Sequence, residues 1–224
     1  MILPYKLKRS NEKITARSGL ALFEEFMEVI QVDRLINNCM PSPLSNHSFD
    51  AWTYVQTLLL TICGGGEAIT ETREIRNDAA LRELFQMENV PSESAIGDWL
   101  RSMGIRGGAA LMKTINKEML HKILSQTYIT EIVLVNDPSI IKSEKRDAKM
   151  TYEGYKGYRP AMILIQELGL IAHYEFRDGN DNGRKFEFFR EIFEVLPDGV
   201  KIKLVLMDAE FYDGQIFHCS SKRK

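Results

Sequence analysis

Ile132-Val133-Leu134-Val135-Asn136-Asp137 and Lys203-Leu204-Val205-Leu206-Met207-Asp208 set the architecture of this chain. Each is a short apolar run that ends abruptly in an aspartate. A run of Val, Ile and Leu without polar alternation reads as a strand buried on both faces, as in the middle of a parallel sheet. If the two strands are parallel neighbours, both carboxylates emerge at the same sheet edge, where open sheets bind their ligands. Hard cations take oxygen ligands, and magnesium keeps several of its waters, so two carboxylates there make a magnesium site. Two such ions about 4 Å apart serve phosphoryl transfer by activating the attacking oxygen and stabilising the leaving one. Strands also end in Asp simply to open a turn or cap a helix, so the pair alone leaves both readings open.

Between the two runs, residues 160–166 and 170–176 read as strands joined by the turn Glu167-Leu168-Gly169. A helix over 183–196 places Phe186, Phe189, Phe193 and Leu196 on one face as core, and Pro197-Asp198-Gly199 ends it. The passage from Asp137 to Arg159 carries Lys142, Lys145, Arg146, Lys149, Lys156 and Arg159 interleaved with Tyr152, Tyr155 and Tyr158. Such interleaving suits a surface where cations meet phosphates and rings stack on bases or sugars. Glu144, Asp147 and Glu153 dilute the charge, and a solvated hairpin shares the pattern.

Upstream the pattern is helical. Residues 1–17 form a basic arm with Lys6, Lys8, Arg9, Lys13 and Arg17, expected to be flexible. Leu20, Phe23, Met27 and Ile30 fall on one helical face. A second helix, capped by Ser48 or Asp50, is expected to bury Trp52, Val55, Leu58, Leu59 and Ile62, and to end at Gly64-Gly65-Gly66. No Lys-Ser/Thr follows those glycines and no strand precedes them, which favours a helix-to-helix turn and C-cap over a phosphate-cradling loop. Residues 67–85 are charged and helix-favouring, and Pro91-Ser92 opens a helix through Ile96, Trp99 and Leu100. These short helices fit a helix-turn-helix or a plain bundle equally well. Leu111, Ile115, Met119 and Ile123 then mark a longer amphipathic helix leading into the sheet.

A chain of 224 residues buries roughly 70% of its unfolded surface, enough for one or two domains. Its 44% hydrophobic and 27% charged residues are ordinary globular usage and exclude a disordered or fibrous chain. The net charge of -2 excludes a uniformly basic nucleic-acid binder, so any polyanion contact rests on local clusters. Cys39, Cys63 and Cys219 form no CxxC pair, which argues against a zinc ribbon or disulfide framework. The four histidines show no HExxH or other ligand spacing, and there is no GxSxG. No apolar run reaches the roughly 18 residues of a membrane span, and the start lacks signal-peptide order. A soluble, cytoplasmic protein without membrane partners is expected.

Four runs carry a resemblance. Asp137-Pro138-Ser139, the segment from Lys149 to Tyr158, Phe176-Arg177-Asp178-Gly179-Asn180, and Met207-Asp208-Ala209-Glu210-Phe211-Tyr212 resemble, in order, segments of bacterial insertion-sequence transposases of the DDE type. Those are the first-acid segment, the Lys- and Gly-containing hairpin, the Arg-x-Gly-Asn segment and the second-acid segment. The helices over 19–100 resemble the family's N-terminal region. The resemblance implies an α/β catalytic domain with an incomplete ribonuclease H-like fold, preceded by an all-α N-terminal domain. The expected division is a basic arm at 1–17, a helical DNA-binding or assembly domain at 18–127, and the catalytic domain at 128–224. It further implies Asp137 and Asp208 as catalytic, metal-holding acids, Mg2+ or Mn2+ as cofactor, and Lys149, Tyr155, Lys156, Arg159 and Arg177 as DNA contacts. The partners implied are transposon-end and target DNA, with a homodimer by analogy to paired ends, in a nucleoid-associated setting.

The family's third acid belongs to a later Tyr-x-x-Arg-x-x-x-Glu segment, which does not follow Asp208 here, so a C-terminally truncated copy is expected. Val135 stands where relatives often carry a further acid, and Ser139 where Thr is commoner. Three alternatives remain: a non-cutting DNA-binding remnant that interferes with intact copies, a metal-dependent nuclease of the same fold that completes its site from another chain or another acid such as Glu210 or Asp178, and a decayed remnant with no selected role.

Overall fold

The computed structural model describes residues 11–41, 48–181, 183–211 and 214–216, without the side chain of Glu210. The architecture is mixed α/β, with helices and a mixed sheet. Two compact units divide it, Met1–Ala109 and Ala110–Lys224.

In the first unit the described elements are helical: α1 (Leu20–Ile30), α2 (Val32–Cys39), α3 (Ala51–Cys63), α4 (Thr72–Asn77), α5 (Ala79–Leu84) and α6 (Glu93–Ile105). Leu20, Met27 and Ile30 are buried, as the spacing of α1 predicts. Asp50 is the N-cap of α3, accepting from the Thr53 N–H at 2.8 Å, and Ser92 caps α6 at Ala95. Each cap satisfies a donor that the helix itself leaves orphaned.

The buried face of α3 differs from the expected one. Ala51, Tyr54, Thr57, Leu60 and Thr61 are inside, whereas Ile62 is exposed and Trp52, Val55, Leu58 and Leu59 are only half-buried. Thr57 and Thr61 return their hydroxyls to the carbonyls of Thr53 and Thr57, so each threonine presents an apolar methyl at little polar cost. Tyr54 stacks on Trp99 with centroids 5.1 Å apart.

The charged stretch 67–85 is not one helix. At Asp78 the backbone turns extended, and the side chain caps α5 by accepting from the Leu81 N–H. The same carboxylate accepts from Thr15 at 2.5 Å and lies 3.8 Å from Arg17, while Lys13 pairs with Glu83. In the described end of the basic arm, Lys13, Thr15 and Arg17 thus meet acids at α4 and α5; residues 1–10 lie outside the described residues.

The second unit takes in nearly all of α7 (Gly108–Ser125), which the expected division at 127 assigned to the helical region. The physical reason is apolar: Leu120 and Leu124 belong to the core of the sheet. Its strands are β1 (Glu131–Asn136), β2 (Ile141–Lys142), β3 (Lys149–Met150), β4 (Lys156–Tyr158), β5 (Ala161–Ile165), β6 (Leu170–Glu175) and β7 (Lys201–Met207), with α8 (Lys185–Val195) between the last two. One sheet has the order β6-β5-β1-β7, in which β1 is antiparallel to β5 and parallel to β7. A second, three-stranded sheet has the order β2-β4-β3. The hairpin β5–β6 turns at Gly169, whose φ of 63° is one a side chain resists.

The core lies on one face of the larger sheet. Ile132, Leu134, Ile163, Ile165 and Ile202 meet Leu120 and Leu124 of α7 and Phe188, Phe189 and Ile192 of α8. Each such side chain contributes about 1.5–3 kcal/mol on burial. Phe188 joins the expected Phe189 in the core, while Phe186 and Phe193 are packed against its margin. The reading of both aspartate strands as buried on both faces needs correction. β7 is an edge strand, a bulge shifts its register beside Ile132/Val133, and Leu204 and Leu206 stay about half exposed on the far face.

Candidate functional site

The parallel pairing of β1 with β7 runs in register to Asn136↔Met207. Asp137 and Asp208 directly follow the two paired strands, so both lie at the carboxyl edge of the sheet. Asp137 continues the alternation of β1 on the side of Val135, whereas Asp208 stands where the chain turns out of β7. Both are exposed.

Backbone bonds hold the first acid in place: the Asp137 N–H donates to the Met162 carbonyl at 3.3 Å and Ser139 N–H to that of Pro160 at 3.2 Å. The chain therefore stays strand-like beyond β1 until β2 pairs with β4. Asp208 instead turns the chain. Its Oδ1 accepts from the Ala209 N–H at 2.5 Å and its carbonyl from that of Phe211 at 2.9 Å, opening a 3-10 turn over Ala209–Phe211. Asn136, between the acid and the core, is buried with neither side-chain nitrogen nor oxygen hydrogen-bonded. Nothing in the sequence distinguished it from the apolar residues before it.

The basic segment forms the small sheet. Lys149 and Lys156 are exposed on β3 and β4, and Lys142 lies 5.9 Å from the Tyr155 ring centroid. The Tyr155 hydroxyl donates to Glu153, and that bond raises its pKa above the ordinary phenol value. Arg159 is buried, its guanidinium 5.2 Å above the Tyr152 ring.

Arg177 is turned inward, in contrast to the DNA contact expected of it. It is only 4% exposed, its Nε donates to Glu175 at 2.7 Å with Nη2 2.6 Å from the same carboxylate oxygen, and it lies 4.8 Å over the Phe188 ring. Gly183 packs against it so closely that a Cβ there would sit 2.3 Å from the guanidinium carbon. Reaching a phosphate would break an ion pair and expose a core ring. Asp178, exposed, bridges to Tyr158, and the side chain of Glu210 lies outside the described structure.

A polar cluster that the sequence did not announce links α7, α8 and β6. Lys113 and His173 each approach Glu191 at 3.1 Å. Burial holds the His173 pKa below its ordinary value, helped by the charge of Lys113 and opposed by Glu191 and Glu175. Burial alone would raise Glu191, but Lys113 and His173 hold its carboxyl low.

Among the described residues no group of three or more His, Cys, Asp or Glu could hold a metal ion, and no helix is long and apolar enough to cross a membrane. Neither a family model nor a curated protein matches the chain.

Proposed function

We propose that this chain is part of a DDE-type transposase, in which Asp137 and Asp208 hold the divalent metal and the small sheet contacts DNA. The observation that carries the reading is the register of β1 with β7, which sets the two acids at the carboxyl ends of adjacent parallel strands. A ribonuclease H-like catalytic core requires that arrangement. The flanking order, with an antiparallel hairpin on the other side of β1, supports it further.

The donor chemistry fits the metal. Two exposed carboxylates are hard oxygen ligands, and magnesium is commonly bound through one or two carboxylates plus waters and substrate phosphates. With Asp208 Oδ1 engaged by Ala209, the remaining oxygens for this task are Asp208 Oδ2 and those of Asp137. Bound there, a divalent ion supplies Lewis-acid activation of a phosphodiester. The chain's own residues do the rest. The backbone bonds of Asp137 and Ser139 fix the first acid against β5, and the capped turn fixes the second. Lys149 and Lys156 bring phosphates to the same unit by charge, as befits a chain whose net charge of -2 provides no general attraction.

The test is a Mn2+ titration followed by electron paramagnetic resonance, with Asp137→Asn and Asp208→Asn, alongside metal-dependent nicking of plasmid DNA. Each substitution is expected to weaken Mn2+ binding at least tenfold and to abolish nicking. Unchanged Mn2+ binding in both variants would refute the assignment. Binding of metal and DNA without nicking would leave the acids assigned and favour a non-cutting binder.

A further inference from the structure

The three-stranded sheet β2-β4-β3 leaves an apolar face in solvent. The cross-strand pairs Ile141↔Tyr158 and Met150↔Lys156 put these four side chains on one face, because directly opposed residues share a side. Phe176 joins them, its ring centroid 4.9 Å from that of Tyr158. Ile141 is 50% exposed, Met150 52% and Phe176 64%. Soluble proteins scatter single apolar residues over their surface, but a contiguous group with an aromatic ring at its centre marks an interaction site.

We infer that this face binds the unpaired bases of a single-stranded nucleic acid, with Phe176 as the stacking ring and Lys156 as the phosphate contact. The inference deepens the nucleic-acid reading of the small sheet and rests on it.

The charge around the platform sets its partner. Lys156 lies on the face itself, and Lys142 and Lys149 are exposed on the reverse side of the adjoining rung, both opposite Gly157. A lysine beside aromatic rings on one face fits a polyanion with flat apolar faces, the combination that single strands offer. A duplex hides those faces in its stack and presents phosphates, sugars and groove edges instead. Asp178 is paired with Tyr158 and exposed on the same side, where it repels a phosphate. The strand's backbone is thereby assigned to the Lys156 side and its bases to Phe176 and Met150. Gly179 lets the segment that follows Phe176 lie directly against the sheet, where a Cβ would meet the carbonyl oxygens of Gly157 and Lys149.

The experiment is fluorescence anisotropy of the whole chain with three labelled probes in EDTA, which removes metal-dependent cutting. The probes are a 15-nucleotide single strand, its duplex and an abasic oligonucleotide of equal length. The single strand is expected to bind more tightly than the other two. Phe176→Ala should weaken single-strand binding roughly tenfold, the usual worth of a stacking ring, and leave the abasic probe unchanged. Met150→Thr, a milder exposed change, guards against a folding artefact and should weaken the single strand in the same sense. Equal affinity for the base-bearing and abasic strands, or single-strand affinity unchanged in both variants, would overturn the inference while leaving phosphate contact intact. Absence of binding to any of the three probes would overturn the nucleic-acid reading itself. A loss of self-association in Phe176→Ala, with single-strand affinity unchanged, would assign the face to a second copy of the chain.

Discussion

Gly179→Ala should displace the small sheet, and its cost follows from the geometry. A Cβ on Gly179 would lie 2.6 Å from the Gly157 carbonyl oxygen, 2.8 Å from that of Lys149 and 2.8 Å from Thr151 Cγ2. Carbon–oxygen contacts in proteins rest at about 3.3–3.6 Å, so two backbone segments must each retreat by roughly half an ångström or more. Neither oxygen is the end of a flexible side chain. Overpacking of this kind costs about 1–3 kcal/mol. On a chain of this size that corresponds to a fall in melting temperature of roughly 2–12 °C. Gly104→Ala is the control: it lies inside α6 with nothing within 4 Å of its Cβ, and should be neutral or stabilising by up to about 1 kcal/mol. Thermal unfolding by circular dichroism measures the loss, and hydrogen exchange locates it. Faster exchange is expected over 141–158, with the emission of Trp52 and Trp99, both in the first unit, unchanged. A Gly179→Ala protein within 0.5 kcal/mol of the parent, with exchange over 141–158 unaltered, would refute the steric argument.

Removing Lys149 and Lys156 together should weaken DNA binding and reduce the slope of log affinity against log salt by about 1.8 for duplex, close to 0.9 for each phosphate no longer neutralised; an unchanged slope would deny them that role. Arg159→Ala should act differently: with its guanidinium buried over Tyr152, it is expected to lower the unfolding free energy more than the salt slope. Phe188→Ala should cost about 3–5 kcal/mol in denaturant unfolding, because a fully buried ring in contact with His173 and Arg177 leaves a cavity. The His173 site makes stability depend on pH. Its folded pKa is depressed below the ordinary 6.5, so its contribution is full above that value and lost as pH falls from there through the lower folded value. Urea unfolding from pH 8 to pH 5 should show a decline that His173→Gln flattens.

Much of the architecture was readable in the linear pattern because it depends on local chemistry. The apolar runs closed by Asp137 and Asp208 became parallel neighbours, the turn at Gly169 closed a hairpin, and Asp50 and Ser92 capped helices where their side chains are best placed to do so. The candidate acids were legible for the same reason, since a strand end is a local event. Arg177 was not: its sequence context matched a nucleic-acid contact, but Glu175 and the Phe188 ring, the latter eleven residues away, draw it inward. The burial of Thr57 and Thr61 in α3 escaped the hydropathy pattern, because a threonine counts as polar until its hydroxyl finds a backbone carbonyl.

Local sequence dictates which segments become helix or strand, roughly where they start and stop, and that two aspartates terminate apolar strands. Periodicity, caps and turn residues act over a few positions, so they survive without knowledge of neighbours. Where the faces departed from periodicity, tertiary packing decided which met water. It made β7 an edge strand with Leu204 and Leu206 half exposed, buried Asn136 beneath the acids, and assembled Lys113, His173 and Glu191 from three separate elements. Those outcomes depend on which elements pack together across tens of residues, where burial and electrostatics are properties of the assembled neighbours rather than of any one stretch of chain.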